Sequence, residues 1–288
     1  MEEKVWTILD IIKWTTDYFE KKGIESPRLN IELMLCQILG ISRLDIYTQF
    51  EKPLTDVERK ILRDMINKRV KRMPLQYILG NTNFYGNNFL VNNSVMIPRP
   101  ETELLVDKVL KDIENKYFHL NILDIGTGSG CIALSLAKEL PNSIVFGIDN
   151  SYFALLTAKN NASNLAIKNI LFYQCDILKE IPFSEKFDII VSNPPYIPLN
   201  EYQNLEPEVK FYEPKESLTD NADGLTFYKR FVKILPEMLK DNGQFYFEFG
   251  FLQSEILTNL FNENGFDIKI LKDFNNIDRI LYGFNRKV

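Results

Sequence analysis

LDIGTGSG, residues 123–130, lies between a predicted strand, Asn121–Asp124, and a predicted helix, Cys131–Glu139. Glycines at such a position let the backbone approach a ligand at the carboxyl end of a parallel sheet. An acid, Asp149, ends the next predicted strand, where it can bind both hydroxyls of a ribose. The loop and the acid together predict a site for an adenosine-containing ligand.

Strand and helix patterns alternate from this point to the end of the chain. The strands are predicted at Ile144–Asp149, Ile170–Cys175, Phe187–Ser192 and Gln244–Phe249, and the helices at Ser151–Asn161, Leu225–Leu239 and Leu252–Asn262. Such alternation predicts an α/β fold, a parallel sheet with helices on both faces. Two final strand-like runs, near 266–273 and 279–284, have no helix between them and predict an antiparallel terminal hairpin.

The first 80 residues have a helical pattern instead. Apolar residues recur at i, i+3 and i+4 spacing, Ser26 before Pro27 is typical of an N-cap, and Thr55 with Glu58 forms a capping box. From Asn83 a short β-hairpin is predicted, with its turn at Gly86-Asn87-Asn88. We therefore predict a helical domain (1–80), a hairpin connector (81–98) and an α/β domain (99–288).

The amino-acid composition argues against several classes of function. A 288-residue chain with 45% hydrophobic residues and a net charge of −5 is typical of a globular protein without a basic field for duplex nucleic acid. Three dispersed cysteines (Cys36, Cys131 and Cys175) indicate reduced thiols, and a single histidine argues against metal or histidine chemistry. With no signal peptide or membrane-spanning pattern, we expect a soluble, cytoplasmic monomer without a metal.

One basic run, Lys68-Arg69-Val70-Lys71-Arg72, ends a predicted helix. We favour the interpretation that these cations offset the C-terminal helix dipole and face water. The alternative is a contact with RNA or an acidic partner.

The spacing of the glycine loop (Gly126–Gly130) distinguishes between cofactors. A dinucleotide fingerprint requires glycine at 131, where this chain has Cys131, and the G-x-G-x-G pattern preceded by Asp124 resembles motif I of class I S-adenosylmethionine-dependent methyltransferases. The resemblance implies a Rossmann-like, seven-stranded, mostly parallel sheet with a reversed strand. It also implies that Asp124 lies near the cofactor's amino acid end, Asp149 at the ribose and Asp176 beside the adenine. A plain strand-end cap is the alternative for Asp176.

A second motif, the reactive loop Asn193-Pro194-Pro195-Tyr196, follows the strand Phe187–Ser192 and so borders the same crevice. A planar amide nitrogen is a poor nucleophile, and acceptors aimed at its two N–H bonds orient it. The Asn193 side-chain oxygen and the Pro194 carbonyl are the candidate acceptors, held by prolines of fixed φ. Tyr196 is predicted to pack on the target plane or near the sulfonium cation. A simple strand-ending turn is the alternative, but it does not explain the position beside the cofactor.

Longer motifs identify a family. The chain closely resembles the protein-(glutamine-N5) methyltransferases of peptide chain release factors in the following stretches: 74–80, 84–86, 97–103, 128–133, 193–197, 212–214, 223–225 and 248–250. The resemblance implies methyl transfer from S-adenosylmethionine, with S-adenosylhomocysteine as product. The acceptor it implies is the glutamine of the Gly-Gly-Gln motif in bacterial class 1 release factors.

The same resemblance implies site residues. Those near the cofactor are Gly126, Thr127, Gly128, Ser129, Gly130, Asp149 and Asn193, and those at the substrate glutamine are Asn193, Pro194, Pro195 and Tyr196. Ile177, where some members carry an aromatic residue, is an apolar wall at most. Residues 99–103 are interpreted as a helix start that also forms a wall of the cofactor pocket, and Glu248 as a strand end near the cleft.

Two other functions stay open at this stage. A nucleic-acid methyltransferase acting on adenine-N6 or guanine-N2 shares both motifs, although the net charge opposes stable nucleic-acid binding. A non-catalytic module that binds the cofactor and a translation factor is disfavoured by the intact Asn193. In either protein-binding case, the helical domain is expected to bind the large protein partner.

Overall fold

The computed structural model describes residues 5–113 and 118–285. The chain forms two compact units: Met1–Gly80 with Pro207–Tyr212, and Asn81–Glu206 with Glu213–Val288. The helices in chain order are α1 (Ile8–Lys21), α2 (Pro27–Leu39), α3 (Arg43–Thr48), α4 (Asp56–Val70), α5 (Leu75–Leu79), α6 (Glu103–Asp112), α7 (Cys131–Glu139), α8 (Tyr152–Asn164), α9 (Leu199–Tyr202), α10 (Pro207–Tyr212), α11 (Thr226–Met238) and α12 (Ser254–Glu263).

The first unit packs α1, α2 and α4 around a core of their own. The predicted capping box is confirmed, since Thr55 and Glu58 cap the start of α4 reciprocally. Ser26 precedes α2 as predicted, but its backbone is left-handed (φ 46°) and its side chain makes no cap bond. The predicted N-cap position and the N1 proline are thus confirmed, and the side-chain bond is missing because a serine that caps through its hydroxyl needs extended backbone.

Two arginines of the basic run at the end of α4 bond within this unit, whereas Lys68 and Lys71 are exposed. Arg69 is buried and donates to Asn30 Oδ1 at 2.8 Å and to Glu208 Oε1 at 3.1 Å. Arg72 donates to the same carboxylate oxygen and to the Gly23 carbonyl. The interpretation as water-facing cations is wrong for these two arginines, because a carboxylate from α10 and nearby carbonyls satisfy their guanidinium groups.

The second unit contains a two-stranded hairpin and a seven-stranded sheet. The strands are β1 (Asn81–Phe84), β2 (Asn87–Leu90), β3 (Asn121–Ile125), β4 (Ile144–Asp149), β5 (Ile170–Gln174), β6 (Phe187–Ser192), β7 (Leu239–Glu248), β8 (Phe266–Lys272) and β9 (Asp278–Asn285). The order in the large sheet is β5-β4-β3-β6-β7-β9-β8, and β9 runs antiparallel to both of its neighbours. The predicted mostly parallel sheet with a reversed terminal strand is confirmed.

Two local boundaries differ from the prediction. The hairpin turns at Tyr85 and Gly86, both with positive φ, so that Asn87 already belongs to β2. β7 begins at Leu239, the predicted end of the preceding helix, and continues through 241–243 into the strand predicted from Gln244. A side chain on Gly243 would lie 2.8 Å from the Leu239 side chain, and the β6–β7 register shifts here, so this glycine serves an irregular strand.

The sheet is buried on both faces, which explains its apolar strands. One face packs against α11 and α12 through aromatic residues such as Phe231, Phe245 and Phe261. The other face packs against α6 and α7. Both faces are thus covered, and the carboxyl ends of the parallel strands are where loops can form a site.

Candidate active site

A cavity of about 400 Å³ lies at the carboxyl ends of β3, β4, β5 and β6. β3, β4 and β6 contribute wall residues, as do the segment that follows β5 and the segment after the hairpin. Of the residues predicted for the site, the cavity is lined by Gly126, Thr127, Gly128, Ser129, Asp149, Asp176, Ile177, Asn193, Pro194 and Pro195. Asp124, Gly130 and Tyr196 lie behind this wall.

The glycine loop is held by bonds to its immediate surroundings. Gly128 N donates to Asp149 Oδ2 at 2.9 Å. A side chain on Gly130 would meet Leu134 at 3.0 Å and Ala158 at 3.2 Å, so this glycine permits close packing of the loop on α7 and α8. Gly130 therefore supports the loop from behind and does not face the cavity.

Asp124 lies beneath the loop. Its side chain is fully buried, and Thr127 Oγ1 donates to its Oδ2 at 2.7 Å. Burial raises the pKa of Asp124 to about 7. The residue supports the loop through Thr127, and the structure does not place it on the cavity wall where the cofactor's amino acid end was expected.

Asp149 ends β4 with its carboxylate at the cavity. Its Oδ1 accepts from Ser151 N and its Oδ2 from Gly128 N, both at 2.9 Å. Burial raises the pKa of Asp149, against the opposing effect of these backbone donors. The bonds fix the carboxylate, and each oxygen keeps acceptor capacity for a hydroxyl.

Asp176 makes the predicted strand-end contact, whereas its position beside an adenine stays a prediction. Its Oδ1 accepts from Leu178 N at 3.1 Å, which is a strand-end turn, and the residue also lines the cavity. A hydrogen bond from Lys179 is the largest cause that lowers the pKa of Asp176. Ile177 beside it is buried and apolar, as expected of a wall.

Asn193 of the reactive loop faces the cavity, and contacts from distant residues hold its side chain. Asn193 Nδ2 donates to Thr102 Oγ1 at 3.2 Å, and Thr102 Oγ1 donates to Glu248 Oε2 at 2.6 Å. Glu248 is only 2% exposed. Burial raises the pKa of Glu248, and hydrogen bonds from Thr102 and Tyr196 oppose that rise.

Tyr196, the last residue of the reactive loop, is hydrogen-bonded to residues behind the cavity wall. Its hydroxyl donates to Glu248 Oε1 at 3.1 Å, and its carbonyl accepts from Gln253 Nε2 at 3.0 Å. A side chain on Gly224 would overlap that carbonyl oxygen, and one on Gly250 would lie 3.0 Å from the tyrosine ring. The two glycines therefore make room for Tyr196.

The segment 97–103 contributes mostly structural ties. Arg99 Nη2 donates to Glu213 Oε1 at 2.6 Å, and the other oxygen of Glu213 accepts from Ile97 N. Glu103 accepts from Tyr85 N at the hairpin turn. Within 99–103, Thr102 is the member that lines the cavity.

Sequence reasoning missed the roles of Thr102, Gly224 and Gln253. Thr102 and Gly224 lie within quoted motifs, which marked them without indicating a contact. Gln253 lies three residues after the last motif, and nothing local predicts its bond to Tyr196.

Comparisons with known proteins establish the family of this chain. A family model described as the PrmC N-terminal domain matches residues 10–80, and one described as a methyltransferase domain matches residues 118–265. A release factor glutamine methyltransferase of Geobacter sulfurreducens is 41% identical over 286 residues, 98% of this chain and 99% of that protein. The chain belongs to the release factor glutamine methyltransferase family.

Two further relatives extend the comparison. The release factor glutamine methyltransferase of Bacillus subtilis is 38% identical, covering 96% of each chain. The crystal structure of a methyltransferase from Pyrococcus furiosus covers 80% of this chain and 99% of that one, with a TM-score of 0.53 and 16% identity. This second likeness concerns the fold alone. Membership of the family confirms the resemblance inferred from the motifs.

Residues 5–113 and 118–285 contain neither a membrane-spanning helix nor a cluster of metal-binding side chains. None of their helices is both long and apolar enough to cross a bilayer. Nor do these residues contain a group of three or more histidine, cysteine or acidic side chains able to hold a metal ion.

Proposed function

We propose that this protein transfers a methyl group from S-adenosylmethionine to the side-chain amide nitrogen of the glutamine in the Gly-Gly-Gln motif of bacterial class 1 release factors. The observation that carries the proposal is that Asn193 and Asp149 line one cavity. The acid proposed to bind the ribose and the asparagine proposed to orient the amide thereby face the same space.

The residues present fit the cofactor. The backbone of 126–129 and the fixed carboxylate of Asp149 suit the ribose end of an adenosine, and Ile177 supplies an apolar wall for a base. The cavity, about 400 Å³, is within the usual range for a small-molecule site. When bound, the cofactor supplies an electrophilic methyl group on a sulfonium.

The reactive loop is proposed to orient the glutamine amide. Asn193 Oδ1 and the Pro194 carbonyl would accept from the two amide N–H bonds and increase electron density on the nitrogen. The prolines restrict the backbone beforehand. Alignment and exclusion of water suffice for a transfer of this kind, without a strong base.

The test is a methylation assay with radiolabelled S-adenosylmethionine. The substrates are a bacterial release factor, its variant with alanine in place of the Gly-Gly-Gln glutamine, duplex DNA and ribosomal RNA. Label should appear on the release factor and be absent from the alanine variant. Label on the variant or on nucleic acid would refute the proposal.

The nucleic-acid alternative is not favoured. The chain has a net charge of −5, and Arg69 and Arg72 of the basic run are already bonded within their unit. Binding to nucleic-acid phosphates requires Lys or Arg side chains that are free to pair with those phosphates. The nucleic-acid arms of the same assay test this point directly.

We further propose that the helical unit binds the release factor, as its position before the hairpin suggested. Deleting 1–80 would also remove the partners of Glu208, so a measurement on the whole chain is sharper. Amide hydrogen exchange in α1–α5 should slow when release factor is added. Unchanged exchange there would contradict this role.

A cytoplasmic location and a monomeric state remain predictions. The three cysteines are unbridged, which supports a reducing compartment. Light scattering at assay concentration would check the monomer.

A further inference from the structure

The side chain of Asn193 has two chemically different ends, and only one can serve a substrate amide. Its oxygen accepts hydrogen bonds and its nitrogen donates them. A glutamine amide nitrogen presents N–H donors, so the oxygen must face it. A half-turn about the last side-chain bond would present a donor to a donor and abolish the interaction.

Proton counting around Glu248 determines which end faces away. Burial opposes ionisation of Glu248, whereas the hydrogen bonds from Thr102 at 2.6 Å and Tyr196 at 3.1 Å and the charge of Arg279 favour the carboxylate, which we take as the form present. A carboxylate is an acceptor only, so both hydroxyls donate to it. The Thr102 hydroxyl has a single proton, which it donates to Glu248. Toward Asn193 it can therefore only accept, and the amide nitrogen of Asn193 is the partner at 3.2 Å.

We propose that Thr102 and Glu248 are positioning residues that hold the Asn193 amide with its oxygen available to the substrate glutamine. Glu248 also holds the opposite end of the reactive loop through the Tyr196 hydroxyl. One buried carboxylate thereby sets the orientation of the asparagine and the position of the loop that carries it. Tyr196 serves in this arrangement as an anchor of the loop.

This inference rests on the proposed function, since it concerns the orientation of a methyl-accepting amide. The two can fail separately. If the wild-type protein does not methylate release factor, the proposed function fails. If it does, and the variants below behave like wild type, the positioning role alone fails.

The kinetic test compares Thr102→Val, which keeps the side-chain shape, with Thr102→Ser, which keeps the hydroxyl. Thr102→Val should lower kcat for release factor by about 10- to 100-fold, the scale expected for misplacement of a reacting group. KM for release factor and the dissociation constant of S-adenosylmethionine should stay within about twofold, and Thr102→Ser should recover most of kcat. Unchanged kcat in Thr102→Val, or no recovery by Thr102→Ser, would overturn the proposal.

A matched control and a second variant distinguish a loss of positioning from a general loss of folding. Ser135→Ala removes another buried hydroxyl, in α7, whose Oγ has no hydrogen-bond partner within the described chain. It should leave kcat unchanged. Glu248→Gln presents an NH₂ donor to one of the two hydroxyls, and it should lower kcat while KM is kept. Wild-type kcat in Glu248→Gln would also count against the role.

A readout independent of turnover is the side-chain NH₂ signal of Asn193 in ¹H–¹⁵N spectra, assigned by its loss in Asn193→Ala. In Thr102→Val the signal should shift and its protons should exchange faster with water, since their acceptor is gone. In Ser135→Ala it should stay in place. An Asn193 signal that is identical in Thr102→Val and wild type would refute the contact itself.

Discussion

The glycine loop and the reactive loop each rest on a buried carboxylate, but the contacts that hold them span very different distances along the chain. Asp124 receives the Thr127 hydroxyl from three residues away. Glu248 receives the hydroxyl of Tyr196 from 52 residues away and that of Thr102 from 146 residues away. The cofactor side is thus built from a local strand-loop-helix motif, and the chemical side from segments that only folding brings together.

This difference has a functional meaning. A loop held by its own neighbours forms a site wherever that motif folds, and many chemistries can use it. A loop held by distant side chains can position one amide, and in the proposed function it supplies the alignment that methyl transfer requires. Variants in the two loops should therefore separate cofactor binding from turnover.

The largest expected effect is that of Asn193→Ala. Removing the amide should lower kcat by about 100- to 1,000-fold, comparable with the loss of one preorganised hydrogen-bonding group in other enzymes. Because Asp149 and the glycine loop are untouched, the dissociation constant of S-adenosylmethionine should change little. Steady-state kinetics and isothermal titration calorimetry measure the two quantities. Loss of cofactor binding together with turnover would show that the loops are not separable.

The buried carboxylate beneath the glycine loop, Asp124, should make the free energy of unfolding depend on pH. Since its pKa in the folded protein is about 7, the native state holds a proton between pH 4 and 7 that the unfolded chain releases. The free energy of unfolding should therefore fall as pH rises through this window. In Asp124→Asn that contribution is absent, so the stability of the variant relative to wild type should rise by roughly 2–4 kcal/mol from pH 4 to 8.

Urea denaturation at several pH values measures this difference. Thr127→Val is the matched control, because it removes the hydroxyl partner and keeps the carboxylate. Since the Thr127 hydrogen bond lowers the pKa of Asp124, the stability of this variant should fall with rising pH at least as steeply as that of the wild type. Parallel stability curves for wild type and Asp124→Asn would contradict the prediction.

Asp149→Asn should weaken cofactor binding and spare kcat, the opposite of the effects expected for Asn193→Ala. The variant keeps the side-chain shape but loses a charged acceptor, and the affinity for S-adenosylmethionine should fall by about 10- to 100-fold. At saturating cofactor, kcat should approach the wild-type value. A kcat that stays low at saturation would assign Asp149 to the chemical step.

The smallest expected effects come from a pair of glycine substitutions, both at positive φ. Gly224→Ala forces a methyl group against the Tyr196 carbonyl, and Gly130→Ala forces one against Leu134 and Ala158. Each should cost about 1–3 kcal/mol of local packing and strain. Gly224→Ala should lower kcat and spare the cofactor affinity, and Gly130→Ala should weaken cofactor binding. If the two variants changed kcat and cofactor affinity in the same way, the two loops would not have separate roles.

Much of the fold follows from the sequence for physical reasons that act locally. The strand Phe187–Ser192 and the helix Cys131–Glu139 have the bounds predicted from apolar runs and loop residues. The reversed final strand also followed, because two strands without a helix between them pair antiparallel. The start of β7 at Leu239 did not, because a glycine that accommodates a strand irregularity has the same sequence pattern as one in a turn.

The site divides in the same way. The sequence by itself determined that a glycine loop, Asp149 and Asn193 would share one edge of a parallel sheet, since the carboxyl ends of such strands meet there. Only the tertiary structure decided that Thr102, Glu248 and Gln253 hold the reactive loop, and that Tyr196 faces Glu248. Contacts between residues 52 to 146 positions apart leave no periodicity or spacing in the chain, so burial and hydrogen bonding in the folded protein are needed to define them.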